Sequence, residues 1–190
     1  VPEAAALIEA LHELGHKVYI ISGGLAEPVA EFGIHLGVPR ERIRAVGVNY
    51  NQLSGDWWNR NSPHERGKDR YLMYEEGSLT VSDGKANIVK ELMGNQKGRA
   101  VLIGDGSSDL LASRALDLFV GYGGVVARDR VVREAPSFIH SLSLAPMLAI
   151  AAGPAILPKL YGTKHETLAN KANTLIQEGK VTFNDERLNQ

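Results

Sequence analysis

Apolar residues recur along this chain with two different periods, and the switches between those periods divide it into elements. Ala4, Leu7, Ile8, Leu11 and Leu14 follow helical spacing, and Gly15 just beyond is a stop signal, so a first helix should end there. Val18 to Ile21 is a short unbroken β-rich run closed by Ser22-Gly23-Gly24, the pattern of a buried strand entering a turn. A second helix is expected to follow, with Val29, Phe32 and Leu36 on its buried face and Gly37 after it. Further on, Gly84 to Met93 is helical, Ala100 to Ile103 is a short buried strand, and Ser108 to Ala115 reads as the next helix. Leu118 to Val120 and Phe138 to Ile139 are the last candidate strands, separated by a short helix near Asp129 to Glu134. Alternation of this kind predicts an α/β fold, with a mostly parallel sheet flanked by helices on both faces.

Two stretches break the rhythm. From Ile43 to Thr80 the chain offers only short extended runs, Ala45 to Tyr50 and Tyr71 to Tyr74, around a stretch of Asn, Gly, Ser and Pro. This predicts a small β insertion over about 45–80, with Trp57 and Trp58 packing its hairpin. Beyond Phe138 and Ile139 only helix is expected. Leu142 to Leu157 is apolar but interrupted by Pro146, Gly153 and Pro154, too short and broken to span a bilayer. Lys164 to Glu178, closed by Gly179, carries Leu168, Ala172 and Leu175 or Ile176 on one face. The domain reading is therefore a core over 1–150 and a C-terminal helical extension over 151–190, in which Lys159 to Gln190 is expected to serve as an accessory docking helix.

Composition narrows the function. The 190 residues hold 21 Lys plus Arg against 22 Asp plus Glu, a net charge of −1, which gives no field to attract nucleic acid or an anionic membrane. A small soluble substrate fits better. The absence of cysteine removes disulfides and thiolate metal sites, and a cytoplasmic location is the simplest expectation. The six histidines show no ligand-like spacing and are read as surface or packing residues. The chain opens on Val1-Pro2 with no Met and no export signal, so it is expected to begin inside a longer reading frame.

The most informative segment is Val101-Leu102-Ile103-Gly104-Asp105-Gly106-Ser107-Ser108-Asp109-Leu110. It sets two carboxylates just past the C-terminal end of a strand, where ligands bind in open α/β sheets. Asp105 and Asp109 stand close enough in sequence to converge on one cation, and such hard oxygen ligands suit Mg²⁺. The competing reading is a helix N-cap with an acidic first turn, favourable by only ~0.3–1 kcal/mol. A dinucleotide fingerprint is disfavoured, because Asp109 stands at the third glycine position and Asp105 would face the pyrophosphate. Ser22-Gly23-Gly24 offers a hydroxyl and backbone N–H groups to an anion, or simply an N-cap and a turn. Lys85, taken alone, is a solvated helix residue.

Their order is more specific than any one of them. Ile20-Ile21-Ser22-Gly23-Gly24-Leu25, then Gly84-Lys85 with Val89, then Gly104 to Asp109, then Phe119 to Arg128 resemble the second, third and fourth motifs, and the segment after them, of haloacid-dehalogenase-like phosphatases of the phosphoserine phosphatase type. The resemblance covers roughly the first three quarters of the chain and implies a Rossmann-like α/β core. It implies that Ser22, Gly23 and Gly24, with Ser108, hold a phosphoryl group and that Lys85 neutralises it. It also implies that Asp105 and Asp109 form the metal site, with Asp109 holding Asp105, Lys85 or a metal-bound water. Ser108 stands where many relatives have Asn, a mild departure because both donate a hydrogen bond.

The implied activity is Mg²⁺-dependent phosphomonoester hydrolysis through an aspartyl-phosphate, with O-phospho-L-serine as substrate and serine biosynthesis as its setting. Another small phosphate ester, or a non-catalytic phosphate-binding module, are the alternatives. One motif is missing. The family's Asp-x-Asp-x-Thr or Val segment supplies the attacking carboxylate, and no Asp-x-Asp occurs in this sequence. The substrate-recognising cap that follows that motif in relatives is absent with it.

Overall fold

The computed structural model describes residues 1–49, 73–74, 77–81 and 84–184. Trp57, Trp58 and most of the expected insertion lie outside the described residues. Its base is present: β3 (Val48–Asn49) pairs antiparallel with β4 (Met73–Tyr74).

Helix α1 (Ala4–Glu13) stops where the sequence says it should, because Gly15 takes φ 84° and the chain reverses there. Strand β1 (Ile20–Leu25) runs parallel to β2 (Ile43–Val46), and α2 (Ala26–His35) covers that pair. Two expectations need correcting here. The strand does not end at Ile21: Ser22, Gly23 and Gly24 stay extended, and the register slips between Ile21 and Leu25. Phe32 is not on the buried face of α2, being 61% exposed, whereas Ala30 and Gly33 are buried. The reason is closeness. A Cβ on Gly33 would come within 2.6 Å of Ile43 Cδ1 and 2.9 Å of Ile20 Cδ1, so the helix docks through its smallest residues and rotates Phe32 away.

The second half follows α3 (Gly84–Met93) with β5 (Val101–Gly104), α4 (Ser107–Leu111), β6 (Leu118–Tyr122), α5 (Asp129–Glu134) and β7 (Ser137–Ile139). Strands β5, β6 and β7 are parallel neighbours. The chain then forms α6 (Pro146–Ala152), α7 (Glu166–Gln177) and β8 (Val181–Phe183), which joins β7 antiparallel. The C-terminal region is therefore not helix only. A run of three residues is too short to show a period of two, and β8 is specified by its pairing instead. Leu157, Leu160, Leu168, Ala169 and Ala172 share one buried cluster with Leu7, Leu11, Val120 and Ile139. No helix among the described residues is long and apolar enough to cross a membrane.

The hydrogen-bonded order is β1-β2 in one pair and β5-β6-β7-β8 in another sheet. Among the described residues no strand joins β1 to β5. All four residues of β5 are only half-buried, while β6 is buried from Phe119 to Tyr122. Helix α1 braces the two parts: Ile8 packs with Val38 and Ile43, while Leu7, Ala10 and Leu11 pack with the four-stranded sheet. Polar contacts hold α1 against the C-terminal region. Glu3 accepts from Ser143 Oγ and Lys171 Nζ at 2.5 Å each, Lys164 Nζ lies 2.7 Å from Glu9 and 2.5 Å from Glu13, and the buried His165 ring lies 2.8 Å from Glu13.

Two outcomes follow from these features. Among the described residues β1 and β5 each have a strand neighbour on one side only, and strand edges left open in this way promote edge-to-edge association. The 190-residue chain made by itself is therefore expected to fold poorly or self-associate, which size-exclusion chromatography with urea unfolding will check; a cooperatively unfolding monomer would contradict it. The second concerns pH. Hydrogen bonds from Lys164 and His165 hold the Glu13 carboxyl below its ordinary 4.5, so its contribution is present above pH 4.5 and is lost as pH falls through the lowered folded value. Hydrogen bonds to Glu13 and Glu9 hold Lys164 above its ordinary 10.5, so its contribution is present below that pH and is lost as pH rises through the raised value. In the full-length protein Glu13→Gln should flatten the acid limb of the Tm profile; an unchanged profile would refute the link.

Candidate functional site

Strand β5 ends at Gly104, and the chain turns through Asp105 and Gly106 into α4. Asp109, in the first turn of α4, is only 7% exposed. Its Oδ2 accepts from the Gly106 N–H at 3.0 Å and its Oδ1 from Lys85 Nζ at 2.5 Å. The glycine at 104 is required by this arrangement, because a Cβ there would lie 2.3 Å from Asp109 Cγ. A second close approach positions the lysine. A Cβ on Gly84 would come within 1.2 Å of the Ser78 carbonyl oxygen, so only glycine lets α3 start against the 3-10 turn Ser78–Thr80.

Asp105 faces outward and is partnered differently. Arg128 Nη1 donates to the Asp105 backbone oxygen at 2.9 Å and also to its carboxylate. Arg128 comes from the loop after β6. That loop is pressed onto the end of the sheet, since a Cβ on Gly123 would meet Phe138 at 2.7 Å and one on Gly124 would meet the Tyr122 hydroxyl at 2.3 Å. Sequence reasoning quoted Arg128 in the motif resemblance but gave it no role. An arginine eight residues beyond Val120 has no periodic signal, and only the folded-back loop brings it to Asp105.

Ser22 lies in β1, with its hydroxyl accepting the Gly24 N–H at 3.1 Å, and Gly23 and Gly24 are exposed. Gly23 sits beside the carbonyl of Leu79, in the same 3-10 turn against which Gly84 packs. Ser22 is thus linked to Lys85 through that turn rather than by direct contact. Ser108 is half-buried in the first turn of α4. The structure joins Lys85, Asp109, Asp105 and Arg128 most tightly, with Ser22 and Gly23 across the turn.

This donor set fits a cation of a particular kind. Both Asp109 oxygens are engaged by Lys85 and Gly106, which leaves Asp105 as the outward carboxylate of the two. Among the described residues no group of three or more His, Cys, Asp or Glu could hold a metal. Mg²⁺ suits such a sparse site because it keeps waters and takes one or two carboxylates plus substrate phosphate. An open groove of about 610 Å³ lies elsewhere, lined by Leu118 and Pro136 at the starts of β6 and β7, the opposite end of these strands from Asp105.

Comparison with known proteins gives a consistent set of relatives. Residues 1–114 match the haloacid dehalogenase-like hydrolases. The chain is 32% identical over 141 residues to the chloroplastic phosphoserine phosphatase of Arabidopsis thaliana, an alignment covering 70% of this chain and 42% of that protein. It is 29% identical over 140 residues to phosphoserine phosphatase of Homo sapiens, covering 73% and 56%. The chain therefore spans about half the length of these relatives. Among solved structures, a phosphoserine phosphohydrolase-like protein from Francisella tularensis superposes with a TM-score of 0.53 at 22% identity, covering 75% of this chain and 59% of that one. A phosphoserine phosphatase in apo form gives 0.55 at 18% identity, covering 76% and 63%. At those identities the superpositions show a shared fold.

The close approach of Gly104 to Asp109 is open to direct test. Gly104→Ala should lower stability by about 1–3 kcal/mol through overpacking, whereas Gly23→Ala, whose Cβ would lie 3.9 Å from its nearest neighbour, should lower it far less. Urea midpoints of the two variants in the full-length protein will decide; equal midpoints would show that Asp109 has room to move.

Proposed function

We propose that this chain, which belongs to the haloacid dehalogenase-like hydrolase family, supplies the phosphoryl-binding and metal-anchoring part of a Mg²⁺-dependent phosphomonoesterase acting on O-phospho-L-serine. The observation that carries the proposal is the Lys85–Asp109 pair, buried beside Asp105 at the end of β5. Phosphoryl transfer spreads charge over the equatorial oxygens of the moving group, and fixed cations and oriented donors stabilise that charge. Lys85 is such a cation. Asp109 is a positioning residue that fixes the ammonium, since a free lysine would spend most of its time in other rotamers.

Ser22 and the exposed backbone of Gly23 bind and orient the phosphoryl oxygens, and Asp105 anchors the metal. Bound Mg²⁺ would supply further positive charge to the phosphate oxygens. The attacking carboxylate is not in this sequence, which contains no Asp-x-Asp. An upstream Asp-x-Asp-x-Thr or Val segment in the parent reading frame would provide it and form the aspartyl-phosphate. Phosphoserine as substrate rests on the names of the relatives. A non-catalytic phosphate-binding module is the second reading.

The test is phosphate release from O-phospho-L-serine by the full-length protein, with and without Mg²⁺. Asp105→Asn is expected to abolish the Mg²⁺-dependent turnover, and Lys85→Ala to lower kcat by at least ~10²-fold, as loss of a transition-state charge partner does. Rates like those of the parent protein in both variants would refute these roles. No phosphate release from any ester would favour the binding-module reading.

A further inference from the structure

The guanidinium of Arg128 and a divalent cation cannot both hold the Asp105 carboxylate in the same way. We infer that Arg128 is an internal counter-ion that competes with the metal for Asp105 and so sets the metal affinity of the site, an inference that rests on the proposed role of Asp105 as metal anchor. Three observations carry it. First, Asp105 is the outward carboxylate of the pair, because Lys85 and the Gly106 N–H engage the oxygens of Asp109. Second, Arg128 bonds both the carboxylate and the backbone oxygen of Asp105, so it is aimed at this residue specifically and not merely nearby. Third, the two side chains are 48% and 45% exposed, so water can replace either partner as the other leaves.

The contrast with Lys85 sharpens the point. Lys85 and Asp109 are 16% and 10% exposed, and separating that pair would strand a buried charge. Lys85 is therefore a permanent part of the site. A metal that takes the Asp105 carboxylate must therefore displace the guanidinium from it. A half-exposed pair of this kind is weak, and competition from it should weaken metal binding by a factor of about two to five. The loop that carries Arg128 stays docked through Gly123 and Gly124, so displacement needs only the side chain to swing.

The experiment is a titration of the full-length protein with Mn²⁺, a spin-active substitute for Mg²⁺, reading free Mn²⁺ by electron paramagnetic resonance. Arg128→Gln should bind Mn²⁺ about two- to fivefold more tightly than the parent, and the ratio should shrink at high salt as the pair is screened. Asp105→Asn should lose the site. If Asp105→Asn removes binding but Arg128→Gln matches or falls below the parent, the competition is refuted and the metal assignment stands. If binding survives Asp105→Asn, or none is detected in any of the three proteins, the metal assignment itself fails and the inference falls with it.

Discussion

The ion pair between Lys85 and Asp109 is the contact on which the rest of the site depends. Removing one partner of such a pair leaves an uncompensated buried charge, at a cost of about 3–5 kcal/mol. The geometry around it is correspondingly tight. Gly104 makes room for Asp109, Gly84 lets α3 approach the turn Ser78–Thr80, and that turn lies against Gly23 in β1. Ser22 on β1 and Asp105 at the end of β5 are thus registered through one lysine and two close backbone approaches. Any change that loosens α3 would move Lys85 and Asp105 relative to Ser22 together.

Much of this was readable from the residues, for physical reasons that differ by element. Helix α1 follows its periodicity, α3 and α5 fall where the apolar spacing puts them, and Gly15, Gly37 and Gly179 mark helix ends with positive φ. The strand-end position of Asp105 and the nearness of Asp109 were legible because glycines flank a carboxylate after a short apolar run. What was not legible depends on partners distant in sequence. Phe32 has the right spacing for a core residue, yet Gly33 docks more closely and turns it outward. Strand β8 is fixed by β7, forty residues earlier, and Arg128 by a loop path that no local pattern records.

Among the described residues β1 and β5 have no strand between them, and β5 has a neighbour on one side only. An inner parallel strand is normally covered on both faces and paired on both sides. Here β5 is half-exposed along its whole length, and apolar residues stand open near the strand ends, with Leu25 at 52%, Val125 at 69% and Leu142 at 53% exposure. Polar machinery and uncovered apolar surface therefore meet on one rim. Water reaches Asp105 and Arg128, which weakens that pair, whereas the buried Lys85–Asp109 pair is shielded from it.

The polar bridges from α1 reach across nearly the whole chain, from Glu3 to Ser143 and Lys171 and from Glu13 to His165. Contacts between residues so far apart in sequence slow folding, because the entropy of closing a long loop is spent before the contact returns anything. During synthesis this has a directional effect. Helix α1 is made with Leu7 and Leu11 uncovered, and its partners on α6 and α7 follow only after the sheet strands between them. Until they do, that apolar stripe is a handle for chaperones or for another nascent copy.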